Sequence, residues 1–317
     1  MLSLLKLLED GQFHSGETLG KQLGVSRSAV WKQLQHIEEQ LGISFHKVRG
    51  KGYRLAQPLS LLDEQTIRNA VPDWDVHVLT EVDSTNAEAI RRMAGSRSHP
   101  ILVLAERQTA GRGRRGRKWV SPFGENLYYS VALPVTEGAR QLEGLSLVVG
   151  LAVLEALDAT GIQAGLKWPN DLLVNGKKVA GILLELVGDP ADVCNVIIGI
   201  GVNVNMTVPP EQIDQPWTSL RDIQGKSVER NALAIRLSQS LQRFLVRLRQ
   251  EGFSGLRALW EHHHAWQGRA VSLTSGAQQI DGVVLGIDEQ GALRLKTEQG
   301  TIHYSSGELS LRLRDDS

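Results

Sequence analysis

Residues 101–119, ILVLAERQTAGRGRRGRKW, run from an apolar strand at 101–105 into a loop built of glycines and cations. Five cations fall within the seven residues 112–118, where they repel one another unless an anion or solvent intervenes. Gly111, Gly113 and Gly116 leave the backbone open and flexible. Alone, such a loop equally suits an RNA-binding arginine tract or a solvated surface turn. Its place after one strand, and ahead of Trp119 and the apolar run 127–133, favours a lid over an anionic ligand, disordered while empty. Strands and amphipathic helices mix around it, at 101–105, 127–133, 145–159, 179–187 and 193–204, which predicts an α+β domain with a mixed sheet.

Three further polar clusters border these segments. Asp83, Ser84, Thr85 and Asn86 open a helix that continues through Ala89 and Ile90. Capping would use one of these side chains; together they offer donors and acceptors to a small polar heterocycle. Lys167-Trp168-Pro169-Asn170-Asp171, followed by Lys177, Lys178 and Gly181, puts a carboxylate and an amide beside a ring able to stack on a base, a mixture that suits a nucleotide. Gly199-Ile200-Gly201-Val202-Asn203 lacks both the lysine and hydroxyl of a Walker loop and the spacing of a Rossmann fingerprint. Its glycines read as sites of close backbone approach, with Asn203 offering an amide to the ligand.

Ahead of this domain, Ser15 caps a short helix in which Leu19 and Leu23 lie one turn apart and which Gly24 ends. Ser26 caps a second helix whose stripe of Val30, Leu34, Ile37 and Leu41 stops at Gly42. The pair is a helix-turn-helix that turns Arg27, Ser28, Trp31, Lys32 and Gln35 away from the stripe. Segments 43–48 and 53–55 flank Arg49-Gly50-Lys51-Gly52 as a hairpin with a basic tip, a wing carrying Lys51. Lys plus Arg and Asp plus Glu each total 35, so no overall basic excess advertises nucleic acid. Residues 1–57, however, hold eight basic against five acidic residues, and 44–55 hold four basic and none acidic. A DNA face belongs there.

At 317 residues the chain is long enough for several cores. No apolar run approaches the roughly 18 to 20 residues of a membrane span. No basic leader precedes the helical spacing of Leu2, Leu5 and Leu8, and the one cysteine, Cys194, lies in an apolar stretch as a buried strand residue. The cytoplasm is the expected compartment. His262, His263 and His264 continue a helix between Trp260 and Trp266 and are expected to form a solvated linker, since consecutive helical residues do not face one another.

Five ordered stretches, Asp83 to Asn86, GRGRRGRKW at 111–119, SPFGENLY at 121–128, KWPND at 167–171 and GKKVAGILLE at 176–185, closely resemble the biotin-protein ligase family, in particular its bifunctional members that repress the biotin operon. The resemblance covers essentially the whole chain. It implies an α+β multidomain fold: a winged helix-turn-helix at 1–60, a central mixed β-sheet with helices, class II aminoacyl-tRNA synthetase-like, at 61–268, and a C-terminal SH3-like β-barrel at 269–317. Short strands at 271–273, 279–287, 293–297 and 301–305 agree with the last, and Glu308 and Arg312 match the family's closing segment.

By the same resemblance Ser84, Thr85, Asn86 and Gln108 would hold the biotin ring. Arg112, Arg114 and Lys178 would bind its carboxylate and the activated phosphate, with Gly113 allowing close backbone approach. Trp119, Asn170, Asp171 and Asn203 would surround the nucleotide or its Mg2+, with Lys167 beside them as a further catalytic cation; no protein metal ligand is assigned. The implied activity joins biotin to ATP as biotinyl-5'-adenylate and passes it to a lysine of the biotin carrier domain of acetyl-CoA carboxylase. The adenylate-bound homodimer would repress an operator with inverted half-sites. A biotin-sensing repressor without ligase activity and a lipoate-protein ligase are the alternatives.

Overall fold

The computed structural model describes residues 1–93, 99–135, 142–188, 194–207, 213, 215–275, 278–305 and 309–314; Glu308, named above, and residue 193, the first of the apolar stretch 193–204, lie outside them. In the head, α1 (Leu2–Leu8), α2 (Gly16–Leu23) and α3 (Arg27–Leu41) form where the capping residues stand. Ser15 Oγ accepts from Thr18 N at 3.0 Å and Ser26 Oγ from Ala29 N at 3.2 Å. Each such cap stabilises its helix by about 1 kcal/mol. Gly24 and Gly42 close the helices in the left-handed conformation at φ 67° and 70°. Leu4, Leu5, Leu8, Leu19, Val30, Leu34 and Ile37 are fully buried, and Leu61 and Phe123 reach in from beyond the head to complete that core.

The wing pairs β1 (Phe45–Val48) with β2 (Gly52–Leu55), Phe45 opposite Leu55. Tyr53 exchanges backbone bonds of 2.8 and 2.9 Å with His14, which ties the hairpin to the segment before α2. A Cβ on Gly52 would stand 2.0 Å from the His14 carbonyl oxygen, so this seam requires glycine. Arg27, Ser28, Trp31, Lys32 and Lys51 are exposed, whereas Gln35 is half-buried, so α3 presents its N-terminal half most openly.

After α4 (Glu64–Ala70), the central sheet takes β3 (Asp75–Leu79), β4 (Ile101–Ala105), β5 (Leu127–Val135), β6 (Gly165–Lys167), β7 (Asp171–Val174), β8 (Lys177–Gly188) and β9 (Cys194–Val202). Its order is β3-β4-β5-β9-β8-β7-β6, with β3 and β4 parallel and the other neighbours antiparallel. One face carries α5 (Thr85–Met93), over β4, β5 and β9. The other carries α6 (Leu145–Asp158), packed against α8 (Arg230–His262), with the short α7 (Leu220–Gln224) between β9 and α8. Helix α6 is apolar nearly all round because it is buried nearly all round. Cys194 is buried in β9, and among the described residues no helix is long and apolar enough to cross a membrane.

Strands β10 (Ala270–Ser275), β11 (Gln278–Ile287), β12 (Leu293–Thr297), β13 (Gly300–Tyr304) and β14 (Leu309–Leu313) form an antiparallel sheet ordered β13-β12-β11-β10-β14. Its last strand is one the turn pattern does not reveal. Val271, Leu273, Val284, Leu293 and Leu311 belong to the same apolar cluster as the central sheet, so the two units share one core.

The histidine run departs from expectation. Helix α8 stops at His262, and residues 263–265 bridge to the sheet edge, Leu166 N donating to His263 O and Ala265 N to Leu166 O, both at 2.8 Å. His264 is therefore buried against Trp260 rather than solvated, and burial holds its imidazole down to about 4. Because the folded pKa lies below the unfolded one, the stabilising neutral form is fully present above about pH 6.5, and its contribution is lost as pH falls from there towards 4. At pH 5 the loss is roughly 2 kcal/mol, at 1.4 kcal/mol per pH unit. Urea unfolding at pH 7 and pH 5 checks this: His264→Phe is expected to lose about 2 kcal/mol less than the parent chain between those values.

Candidate active site

A cavity of about 660 Å³ opens on the sheet where β5, β8 and β9 meet the 111–119 loop, and α5, the KWPND turn and β14 complete its walls. All the residues expected to bind ligand, Ser84, Thr85, Asn86, Gln108, Arg112, Gly113, Arg114, Lys178, Trp119, Asn170, Asp171, Asn203 and Lys167, line it.

At one end, the start of α5 is knitted to the sheet. The Ser130 hydroxyl lies 2.7 Å from Thr85 Oγ1 and 2.6 Å from Asn86 Oδ1. Asn86 Nδ2 donates to Glu185 at 2.6 Å, and Gln108 Oε1 accepts from Thr85 N at 2.9 Å. These contacts fix five polar side chains in one geometry, the condition for recognising a polar ring rather than merely wetting it. Asp83 stands outside, where its bidentate pair with Arg91 holds the carboxyl down to about 2.

At the cationic end Lys178, Lys167, Arg114 and Arg112 each have a fixed companion. Lys178 Nζ lies 2.6 Å from Asp171 and 5.4 Å from the centre of the Trp119 ring. Lys167 Nζ lies 3.7 Å from the other oxygen of Asp171 and 4.8 Å from the Trp266 ring; burial lowers its pKa, against the pull of Asp171. Arg114 donates to Asn170 Oδ1 at 2.9 Å, and Asn170 is itself anchored to the Ile182 carbonyl at 2.7 Å. Burial lowers the Arg114 pKa, with Asp171 opposing. Arg112 pairs with Glu185 at 3.2 Å. The 111–119 segment consequently has a defined form: Gly113 N donates to Arg117 O at 2.7 Å around a 3-10 turn over Arg114–Gly116. Counter-charges on β7 and β8, distant in sequence, offset the repulsion that local reading treats as decisive.

Several assignments change in detail. Trp168 does not stack on a ligand: it is fully buried, and its indole donates to Gly291 O at 3.1 Å, pinning the KWPND turn to the C-terminal sheet. Trp119, Trp217 and Trp266 line the cavity, together with Tyr128 and Tyr129. The close approaches at Gly199 and Gly201 are made by side chains of this chain, Asn86 and Trp119, which a Cβ would meet at 2.4 and 2.5 Å. Asn203 uses its amide on the Thr218 carbonyl at 3.1 Å. Ser130, Glu185, Trp217 and Trp266 carry no local signal that singles them out. Trp217 arrives because Lys178 N donates to Pro216 O at 3.0 Å and Thr218 N to Lys178 O at 2.9 Å, laying its segment beside β8.

A hydroxyl and amide network next to converging cations, on a chain headed by a winged helix-turn-helix, defines a carboxylate-activating ligase fused to a DNA-reading unit. Residues 81–203 match the biotin/lipoate A/B protein ligase family, residues 1–54 a helix-turn-helix domain and residues 268–312 the biotin protein ligase C-terminal domain. The chain is 42% identical to the bifunctional ligase/repressor BirA of Salmonella typhimurium, over 98% of this chain and 97% of that one. It is 35% identical to the biotin--[acetyl-CoA-carboxylase] ligase of Mycobacterium tuberculosis, over 81% and 97% respectively. The biotin protein ligase of Aquifex aeolicus in complex with biotin and ATP superposes with a TM-score of 0.66 at 36% identity, covering 76% of this chain and 99% of that one. The chain belongs to the biotin protein ligase family, in the form that carries a helix-turn-helix domain.

Proposed function

We propose that the chain activates biotin with ATP and transfers it to a lysine of the biotin carrier domain of acetyl-CoA carboxylase. The observation that carries this is the meeting, in one cavity, of Ser84 and the Thr85-Asn86-Gln108 network with Arg112, Arg114, Lys167 and Lys178. The network suits the ureido ring of biotin, and this polar demand argues against the aliphatic dithiolane of lipoate. A biotin carboxylate oxygen attacks the α-phosphorus of ATP, pyrophosphate leaves, and biotinyl-5'-adenylate forms. Both reactants are anions, so Arg112, Arg114 and Lys178 offset the charge that accumulates between them, with Lys167 beside them. The carrier lysine's amine then attacks the acyl carbon and releases AMP. Trp119, Asn170, Asp171 and Asn203 surround the nucleotide, and Gly113 lets the loop backbone approach the ligand.

Both oxygens of Asp171 face lysines, and no cluster of three or more metal-binding side chains occurs among the described residues. Mg2+ therefore fits as a companion of the ATP phosphates, where it would neutralise the departing pyrophosphate. The loop 111–117 excludes water from the mixed anhydride.

We further infer that the adenylate-bound chain dimerises and represses biotin synthesis genes, with Arg27, Ser28, Trp31, Lys32, Gln35 and Lys51 facing an operator of two inverted half-sites. The units would divide at 1–60, 61–268 and 269–317, and the cytoplasm, which holds both ATP and the carrier, is the compartment proposed. Mass spectrometry of a carrier domain incubated with the protein, ATP, Mg2+ and biotin is expected to show one added biotin. An unmodified carrier would leave a sensor without ligase activity, and preferential use of lipoate would overturn the substrate. Gly201→Ala, by forcing the Trp119 ring aside, is expected to raise the KM for ATP about tenfold, the order of an overpacking penalty; steady-state kinetics at saturating biotin reads it.

A further inference from the structure

Of the chain's seven tryptophans, Trp31 is the exposed one, with 45% of its surface open. It stands in the N-terminal half of α3, its neighbours Arg27, Ser28 and Lys32 also exposed. Ser26, Arg27, Ser28, Trp31 and Tyr53 line a shallow depression between α3 and the wing, and the Ser26 and Ser28 hydroxyls stand 2.9 Å apart at its rim. The core of the head is filled by aliphatic residues, and the indole takes no part in it. Leaving nearly half of so large an apolar ring in water is unfavourable. Arg27 and Lys32 on α3 and Lys51 on the wing make the surroundings basic, which selects an anionic partner over an apolar one.

We propose that Trp31 is a specificity-determining residue that packs its indole against the 5-methyl group of a thymine in the major groove. This rests on the DNA-binding reading of the head. The N-terminal residues of a recognition helix are the ones that reach base edges. On those edges the thymine methyl is the apolar group, so an indole there distinguishes thymine from the other bases without a hydrogen bond. Arg27, Ser28 and Lys32 remain for phosphates and polar edges, while Trp31 supplies a contact indifferent to salt. Burial of one methyl corresponds to about a fourfold change in affinity.

The test uses the full chain with biotin, ATP and Mg2+. Duplexes are selected from a random library, and each thymine of the enriched site is then replaced singly by uracil, which lacks only the methyl. One thymine in each half-site is expected to weaken binding by about fourfold when replaced. Trp31→Ala should show no thymine-uracil difference at that position while keeping the same dependence of affinity on salt, and Trp31→Phe should keep part of the discrimination. Uracil effects that are absent, or that persist in Trp31→Ala, would overturn the proposal. So would an equal loss by Trp31→Ala on selected and unselected duplexes, the signature of a sugar-phosphate contact. Failure to enrich any duplex would instead remove the DNA-binding reading and the proposal with it.

Discussion

Lys178→Met is expected to slow formation of biotinyl-adenylate by roughly 10²- to 10³-fold, the cost of removing one well-placed donor to developing charge. The substitution keeps most of the length and the apolar character of the stem and deletes the ammonium group. Lys178 is held from two sides, by Asp171 at 2.6 Å and by the face of Trp119, and only 15% of its side chain is exposed. A cation so fixed needs no reorganisation when negative charge builds at the α-phosphorus, whereas a solvated lysine would have to be ordered first. Pyrophosphate release under single-turnover conditions measures the effect. Biotin titration separates it from binding, because a group acting mainly in the transition state lowers kcat more than it raises KM. Asp171 would lose its nearer partner, so Asp171→Asn combined with Lys178→Met serves as the control: it should recover stability but not rate. A slowing of less than tenfold would place Lys178 away from the reacting centre.

The largest loss of stability is expected at Arg230. This guanidinium is wholly buried, pairs with Glu106, and donates to Asn126 O at 2.9 Å and to Ser60 O at 2.8 Å. The other oxygen of Glu106 accepts from Leu62 N at 2.6 Å. One ion pair therefore joins the start of α8, the segment leaving the head and the loop that follows the lid. Arg230→Met leaves a buried carboxylate and two carbonyls without their donor and should destabilise the chain by about 3 to 5 kcal/mol. Adding Glu106→Gln removes the uncompensated charge and should restore part of that. Urea unfolding of the single and double variants measures both, and a loss below about 1 kcal/mol for Arg230→Met would mean that water reaches the site and substitutes for the guanidinium.

Local chemistry made the head legible. Ser15, Gly24, Ser26 and Gly42 each act within one turn of where they stand, so a linear reading places both helices with nearly correct ends. The polar clusters were legible as types of group, since short hydroxyls and glycines beside cations limit what can bind. Their partners were not. Glu185 holds Asn86 and Arg112 from the middle of an apolar strand, and Lys167 reaches Trp266 because the stretch after α8 bridges to Leu166 at the edge of the central sheet. Trp168 and His264 read as available for the same reason: burial is decided by segments more than 100 residues distant for the first, and by a bridge to Leu166 for the second. Arg230 reads as one of many surface arginines at a helix start, and nothing near it in sequence announces Glu106.

Phe123 sits four residues past Trp119, yet its ring is 3% exposed within the core of the head rather than that of its own sheet. A cut near residue 60 would therefore damage both fragments, opening a hole the size of a phenyl group in one and leaving a bare ring on the other. Exchanging this head for another DNA-reading module would amount to transplanting a socket without its plug, so the two halves are constrained to change together along one aromatic side chain.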